Sequence, residues 1–311
     1  MKVIFGIGKV KTHFPKAVLA IGVFDGVHLG HQALIKKVVQ KAKEIQGEAI
    51  VLTFYPHPVS VLHPEANLKL LTPIQYRLKL LEALGVNTCI VVHFTKRFAA
   101  LSPERFIKRY LLKHMNLSDI FVGGDFRFGH DREGTLDYFK KEGDIFHFHV
   151  HGIGVIPVDR NHHSKISSST IRQHILSGQI EKASKLLGRN VSLVGRVQKG
   201  DGLGKKLGFP TVNLYPKEEI CPPFGVYAAS VEIAGKIHDG MVYIGRRPSI
   251  RKVQHRVVVE ANIFDFNQTI YGQEIVIHFM KKIRGEKKFT SPEALIQQIR
   301  KDKSQIRSFL R

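Results

Sequence analysis

Cysteine is scarce in this 311-residue chain: Cys89 and Cys221 are the only two, one in each half. Two thiols so far apart exclude a disulfide framework and give no metal-ligand spacing, which fits a reducing cytoplasm. Long apolar runs are missing as well. The longest, such as residues 17–23, fall well short of the ~18–20 residues that a membrane-spanning helix needs. The leading MKVIFGIGKVKTHF is interrupted by Gly6 and Gly8, which leaves too short an apolar stretch for a secretory leader. No repeat and no low-complexity tract is visible. Acidic residues are few: 26 Asp and Glu stand against 48 Lys and Arg, a formal net charge of +22. The excess is shared between the halves on either side of Gly188 instead of being collected in a tail or one helix. Small anionic substrates such as nucleotides account for that distribution, and neither a nucleic-acid nor a membrane partner is expected. Oligomeric state is not legible.

What is present is a folded chain long enough for two domains, with 43% hydrophobic and 24% charged residues. The first half alternates apolar strands with helical periods. Residues 17–23 read as a buried strand, 30–45 as a helix with Leu34, Ile35, Val38, Val39 and Ala42 on its apolar side, and 49–54 as the next strand. Residues 73–84 then read as a helix, 88–94 as a strand, 103–115 as a helix begun by Ser102-Pro103, and 120–122 as a strand. This alternation predicts a doubly wound parallel α/β sheet of Rossmann-like type. Residues 170–187 read as two helical pieces divided by Gly178. From Val191 onward the texture changes to short β-like runs punctuated by Gly, Pro and Asn, including 192–197, 208–214, 225–234, 240–245, 255–264 and 273–280. That pattern predicts an antiparallel β-barrel, closed by an amphipathic helix over 291–309. The expected domains are 1–187 and 188–311.

Chemistry concentrates first at GVFDGVHLGHQALI, residues 22–35, where a strand end runs into a helix start. Gly22, Gly26 and Gly30 permit a tight turn, and amide groups at a helix N-terminus attract phosphate. Phe24 and Asp25 lie in the same turn. His28 and His31, three apart, are candidates to stabilise charge developing on phosphorus. Zinc is the competing use, but third and fourth ligands and a His-Glu-x-x-His helix are lacking. TFYPHP at 53–58 and GGDFRFG at 123–129 place Phe54, Phe126 and Phe128 after expected strands, where a doubly wound sheet opens its crevice to a planar ring. In the second half, GDGLGKKLGFPTVN at 200–213 is not a Walker loop, yet Gly200, Gly202 and Gly204 with Lys205 suit an anion-binding nest. Thr211 and Asn213, two apart on an expected strand, suit a magnesium ion. His147, His149 and His151 alternate near His162 and His163; a solvated or substrate-facing strand is expected there instead of a metal site. Lys281, Lys282, Lys287 and Lys288 are expected to face solvent.

His28-x-x-His31 after a Gly-rich strand end resembles the HxGH motif of the nucleotidyltransferase superfamily. ISSSTIR at 166–172 is similar to its ISSTxIR motif, with Ser167, Ser168, Ser169 and Arg172 on the matching positions and Ser169 replacing the usual Thr. PTVN at 210–213 is similar to the PTAN motif of riboflavin kinases. GVYA at 225–228, IGRRPS at 244–249, VVVEANIFDF at 257–266, IYGQEIVIHF at 270–279, the Ile283-Arg284 pair and KFTSPEALIQQI at 288–299 continue that likeness. Ser249 departs from a usual Thr, and Leu203-Gly204-Lys205 from Arg-Gly-Arg. Over nearly its whole length the sequence resembles the bacterial bifunctional riboflavin kinase/FMN adenylyltransferases, also called FAD synthetases. The resemblance implies that ATP phosphorylates riboflavin to FMN and then adenylylates FMN to FAD, with pyrophosphate released. It implies Glu260 as the base of the kinase step, Thr211 and Asn213 as magnesium ligands, and Gly202, Gly204, Lys205 and Arg284 as substrate contacts. For the adenylylation it implies His28, His31 and Arg172 as transition-state stabilisers, Gly22, Phe24, Asp25, Gly30, Ser167, Ser168, Ser169, Phe54 and Phe126 around the nucleotide and flavin, and His57, Pro58 and Asp125 at FMN.

Overall fold

The apolar runs of the first half become parallel strands because both faces of their sheet are covered, which favours near-continuous hydrophobic sequence. The computed structural model describes residues 1–10, 14–154, 166–200, 202–216, 218–247 and 256–310, the side chains of Leu203, Lys205, Arg247 and Arg256 excepted. These form two units, Met1–Leu68 with Ile74–Ser167, and Lys69–Pro73 with Ser168–Arg311.

In the first unit β1 (Lys2–Phe5), β2 (Phe14–Ile21), β3 (Glu48–Tyr55), β4 (Thr88–His93), β5 (Met115–Gly123) and β6 (His149–Ile153) pair in the order β1-β4-β3-β2-β5-β6, every neighbour parallel. Their connections carry α1 (Leu29–Glu44), α2 (Pro58–Leu62), α3 (Ile74–Ala83), α4 (Lys96–Ala99), α5 (Pro103–Phe106) and α6 (Leu136–Phe146). Alternate residues of one strand serve opposite cores. Ile50 and Leu52 join Phe106, Ile120 and Phe139 on one face, while Ala49 and Val51 join Leu34, Ile35 and Val38 of α1 on the other. From β2 the chain moves outward to β3 and β4, then returns to the other side of β2 as β5. The order therefore reverses between β2 and β5, and the loops leaving their C-terminal ends flank the crevice of a doubly wound sheet.

In the second unit β7 (Val191–Arg196), β8 (Val212–Leu214), β9 (Gly225–Ile233), β10 (Lys236–Arg247), β11 (Arg256–Ile263) and β12 (Glu274–Arg284) pair antiparallel in the order β7-β12-β9-β10-β11-β8. The two edge strands come together just past β7, where the Gln198 amide donates to the Asn213 carbonyl at 2.9 Å. That isolated bridge joins the two ends of the sheet at one point, so the sheet curls into a half-barrel. The same unit holds α7 (Ser168–Leu176), α8 (Ile180–Leu187), α9 (Leu203–Lys206) and α10 (Pro292–Leu310). α10 buries Ile306 against Val226, Ala228 and Met241. Residues 69–73 join through Leu70, whose N–H donates to the Glu218 carbonyl and whose carbonyl accepts from the Ile220 N–H, both at 2.8 Å.

The structure corrects several expected boundaries. The helix read over 103–115 is α only to Phe106, widens into π-type turns over Ile107–Leu112, and gives way at Met115 to β5, which is far longer than residues 120–122. The strand read over 208–214 is reduced to Val212–Leu214, because Gly208 at φ +84° and Pro210 cannot continue a ladder. Thr211 thus precedes the strand. His147 lies outside β6, closing α6 in the left-handed conformation, so the three alternating histidines do not share one strand.

Candidate functional site

The turn between β2 and α1 is built around backbone that most side chains avoid. Phe24 and Val27 have φ of +52° and +39°, and Gly26 has +83°. Gly22 and Gly30 are needed for space: a Cβ on Gly22 would lie 2.9 Å from the Phe24 ring, and one on Gly30 3.1 Å from the His28 ring. His28 is the N-cap of α1, and its Nδ1 accepts from the His31 N–H at 3.4 Å. Accepting there leaves the proton on Nε2, so that nitrogen of His28 is a donor. The two imidazoles stack with centroids 3.6 Å apart, and Phe24 meets His31 edge-on at 5.2 Å. Burial holds the His31 pKa well below its ordinary value, with His28 and Arg77 pushing the same way. His31 is therefore neutral at pH 7. Its buried Nδ1 has no hydrogen-bond partner among the described residues, which suits a group kept for a ligand. Stacked imidazole N–H donors at the positive end of a 16-residue helix form a site for phosphate charge.

The other expected residues of this half are placed as follows. Asp25 is buried and pairs with Arg77, Oδ1 to Nη2 at 3.6 Å. Phe24 belongs to the core beneath α1. Phe54 packs on Phe94 and Phe98, and Phe126 stacks on Phe128 and Phe139. His57, at the C-terminal end of β3, caps α2 by accepting from the Val59 N–H at 3.1 Å, with Pro58 opening the helix. Asp125 is exposed on the loop after β5. Ser167 ends the first unit. Ser168 and Ser169 open α7 in the second, where Arg172 Nε donates to the Lys69 carbonyl at 2.7 Å. His162 and His163 lie outside the described residues. His149 is exposed, and His151 meets the buried Asp119 carboxylate at 2.7 Å. Among the described residues no group of three His, Cys, Asp or Glu side chains is arranged to hold a metal ion.

A cavity of about 460 Å³ in the second unit is lined by Gly200, Gly202, Gly204, Thr211, Asn213, Glu260 and Arg284, with Asp302 of α10. Register brings the polar residues together: Glu260 on β11 sits opposite Asn213 on β8 and Tyr243 on β10. Asn213 is 4% exposed, and its Oδ1 has no partner among the described residues. The same holds for Oδ1 of Asn262, whose Nδ2 donates to the Pro210 carbonyl at 2.7 Å. Amide, hydroxyl and carboxylate oxygens facing one cavity fit a hard cation such as magnesium. The loop over them needs small residues. A Cβ on Gly204 would lie 2.5 Å from the Phe209 carbonyl oxygen, and one on Gly200 would collide with the Asn213 amide. Gly202 precedes the short helix α9 and Gly204 lies within it; the Lys205 side chain lies outside the described residues, as does Ser249.

Arg284 lines the cavity with its guanidinium held by Asp302, Nε to Oδ2 at 2.9 Å and Nη2 to Oδ2 at 2.8 Å. Tyr243 donates to Glu286 at 2.8 Å; burial, Glu286 and Glu260 push its pKa to about 12, so it remains a phenol. Sequence reasoning missed Asn262, Tyr243 and Asp302. Asn262 was within reach, being two residues beyond Glu260 on the same strand face. Lys287, read as solvent-facing, is exposed and also lines the cavity with Phe289.

Fold and sites define a phosphoryl- and nucleotidyl-transfer enzyme of two parts, an α/β sheet with a phosphate-binding helix start and a barrel with a carboxylate in its cavity. Comparison with known proteins agrees part by part. Residues 10–170 match the FAD synthetase family and 187–310 the riboflavin kinase family. The bifunctional riboflavin kinase/FMN adenylyltransferase of Bacillus subtilis is 38% identical, covering 96% of this chain and 95% of its own; that of Escherichia coli K12 is 34% identical, covering 99% and 98%. A Streptococcus pneumoniae crystal structure described as a macrolide-efflux protein superposes with a TM-score of 0.85 at 31% identity over 99% of both chains. No described helix here is long and apolar enough to cross a membrane. The chain belongs to the bifunctional riboflavin kinase/FMN adenylyltransferase family: it converts riboflavin and ATP to FMN, then FMN and ATP to FAD.

Proposed function

We propose that the two reactions are divided along the chain, FMN adenylylation in residues 1–187 and riboflavin phosphorylation in 188–311, with each step performed by the residues singled out above. In the kinase step Glu260 accepts the proton of the flavin 5′-hydroxyl as that oxygen attacks the γ-phosphorus of ATP, whose bond to the β–γ bridging oxygen breaks so that ADP leaves. Gly200–Gly204 amides and Lys205 hold the phosphates, and Arg284, fixed by Asp302, keeps its charge at the cavity wall. Thr211 and Asn213 hold magnesium, with Asn262 beside them. The ion, when bound, neutralises phosphate charge. The observation that carries this reading is the buried Asn213 oxygen left unpartnered beside Glu260.

In the adenylylation an FMN phosphate oxygen attacks the α-phosphorus of ATP and pyrophosphate leaves. His28 Nε2–H and neutral His31, aided by the α1 N-terminus, donate to the oxygens on which charge builds. They act as aligned donors already in place, which costs no reorganisation during the reaction. His57, Pro58 and Asp125 are assigned to FMN, and the Ser167–Arg172 segment to ATP phosphates. The test is to incubate the purified protein with riboflavin, ATP and magnesium and to separate the flavins by chromatography. FMN should appear first and FAD after it, with neither formed when magnesium is chelated. FMN formation undiminished in Asn213→Leu would refute the metal assignment.

A further inference from the structure

Arg77 is the largest of the fully buried side chains, 1% exposed, and it sits on α3, outside every motif that marks the site. Its Nη1 donates to the Val23 carbonyl at 2.8 Å, and its Nη2 lies 3.6 Å from the buried carboxylate of Asp25. The Val23 carbonyl also accepts from Thr53 Oγ1 of β3 at 2.9 Å, so two elements fasten one peptide. That peptide opens the turn whose Phe24 and Val27 have positive φ. Such backbone persists only where its surroundings over-determine it. The turn ends at His28, whose ring accepts from the His31 backbone N–H at 3.4 Å and stacks on the His31 ring.

We infer that Arg77 is a positioning residue for FMN adenylylation, which braces the strained turn through Val23 and Asp25 and so aims the His28–His31 pair. The inference rests on the proposed role of that pair. Arg77 also acts on His31 through space. The charged and titratable groups facing His31 are His28 from its own turn and Arg77 from α3, with Asp25 as the acidic partner of Arg77. Loss of the guanidinium removes one of the influences that keep His31 neutral.

The test compares Arg77→Met, Arg77→Lys and Thr53→Val in the full chain, following adenylylation of supplied FMN and phosphorylation of riboflavin in the same preparations. Arg77→Met should lower the kcat of adenylylation by about 10²-fold, the scale of a misaligned reacting group, with the KM for FMN changed little and the kinase rate within about twofold of wild type. Its acid limb of adenylylation should move to higher pH. Arg77→Lys, which keeps the charge and one donor, should recover at least about tenfold of the loss and restore the limb. Thr53→Val leaves the buried ion pair intact and should slow adenylylation by a smaller factor without moving the limb. A folded Arg77→Met protein that adenylylates FMN at the wild-type rate, or an unmoved limb, overturns the inference, as does Arg77→Lys no better than Arg77→Met. Should Arg77→Met fail to fold, wild-type adenylylation by Thr53→Val overturns it. Full adenylylation by His28→Ala would instead refute the reading of the histidine pair.

Discussion

His31 is neutral because burial and two neighbours disfavour its proton, and this has a stability consequence. The folded-state pKa lies below that of the unfolded chain, so as pH falls through about 6.5 the unfolded state takes up a proton that the folded state refuses. Stability contributed by neutral His31 is present above that pH and is lost below it, at up to about 1.4 kcal/mol per pH unit. Urea unfolding at pH 7.5 and 5.5 should show a larger acid destabilisation of the wild type than of His31→Gln; equal losses would contradict a buried neutral imidazole. In the barrel, Asn213 and Asn262 leave buried oxygens unpartnered, each at a cost of about 1–3 kcal/mol. Asn213→Leu should therefore unfold no earlier than the wild type in magnesium-free buffer, while its riboflavin kinase rate falls at least about 10²-fold. Addition of magnesium and ATP should raise the unfolding midpoint of the wild type more than that of the variant, as measured by calorimetry.

At the scale of elements, apolar runs and helical spacing located β2, β3, β4, the end of β5, α1 and α3, because those strands bury apolar side chains on both faces and those helices on one. What escaped notice has physical causes. β1 is an edge strand with Val3 and Phe5 exposed, so its pattern carries little contrast. Residues 107–115 keep a helical spacing of apolar positions, yet the chain must reach β5 at Met115, and tertiary pairing prevails over local preference. The glycine loop before β8 is legible as a loop but not as the turn α9. There, Gly204→Ala would press a methyl against the Phe209 carbonyl oxygen at 2.5 Å. That substitution should lower riboflavin phosphorylation at least about tenfold by displacing Thr211 and the loop amides, and leave adenylylation of supplied FMN untouched. Steady-state rates of the two steps would separate these outcomes.

At the scale of the whole molecule, two unrelated sheets serve one chemistry. The parallel sheet offers loops at the point where its strand order reverses, and the curled antiparallel sheet offers a concave face on which cross-strand register sets Glu260 beside Asn213. Spacing singled out the histidine pair, Thr211 and Asn213 as candidates before any fold was known, with Glu260 added by family resemblance. It did not reveal the residues that hold them, Arg77 for the turn and Asp302 for Arg284, because those partners lie far along the chain and meet only after folding. In the proposed division each step has its own set of catalytic groups. The most direct measurement gives Glu260→Ala and His31→Ala either riboflavin or FMN, with ATP and magnesium, and follows the flavins by chromatography. Glu260→Ala should form no FMN from riboflavin yet convert supplied FMN to FAD at the wild-type rate, whereas His31→Ala should accumulate FMN and stop. A folded variant of either kind that has lost both conversions would contradict the account.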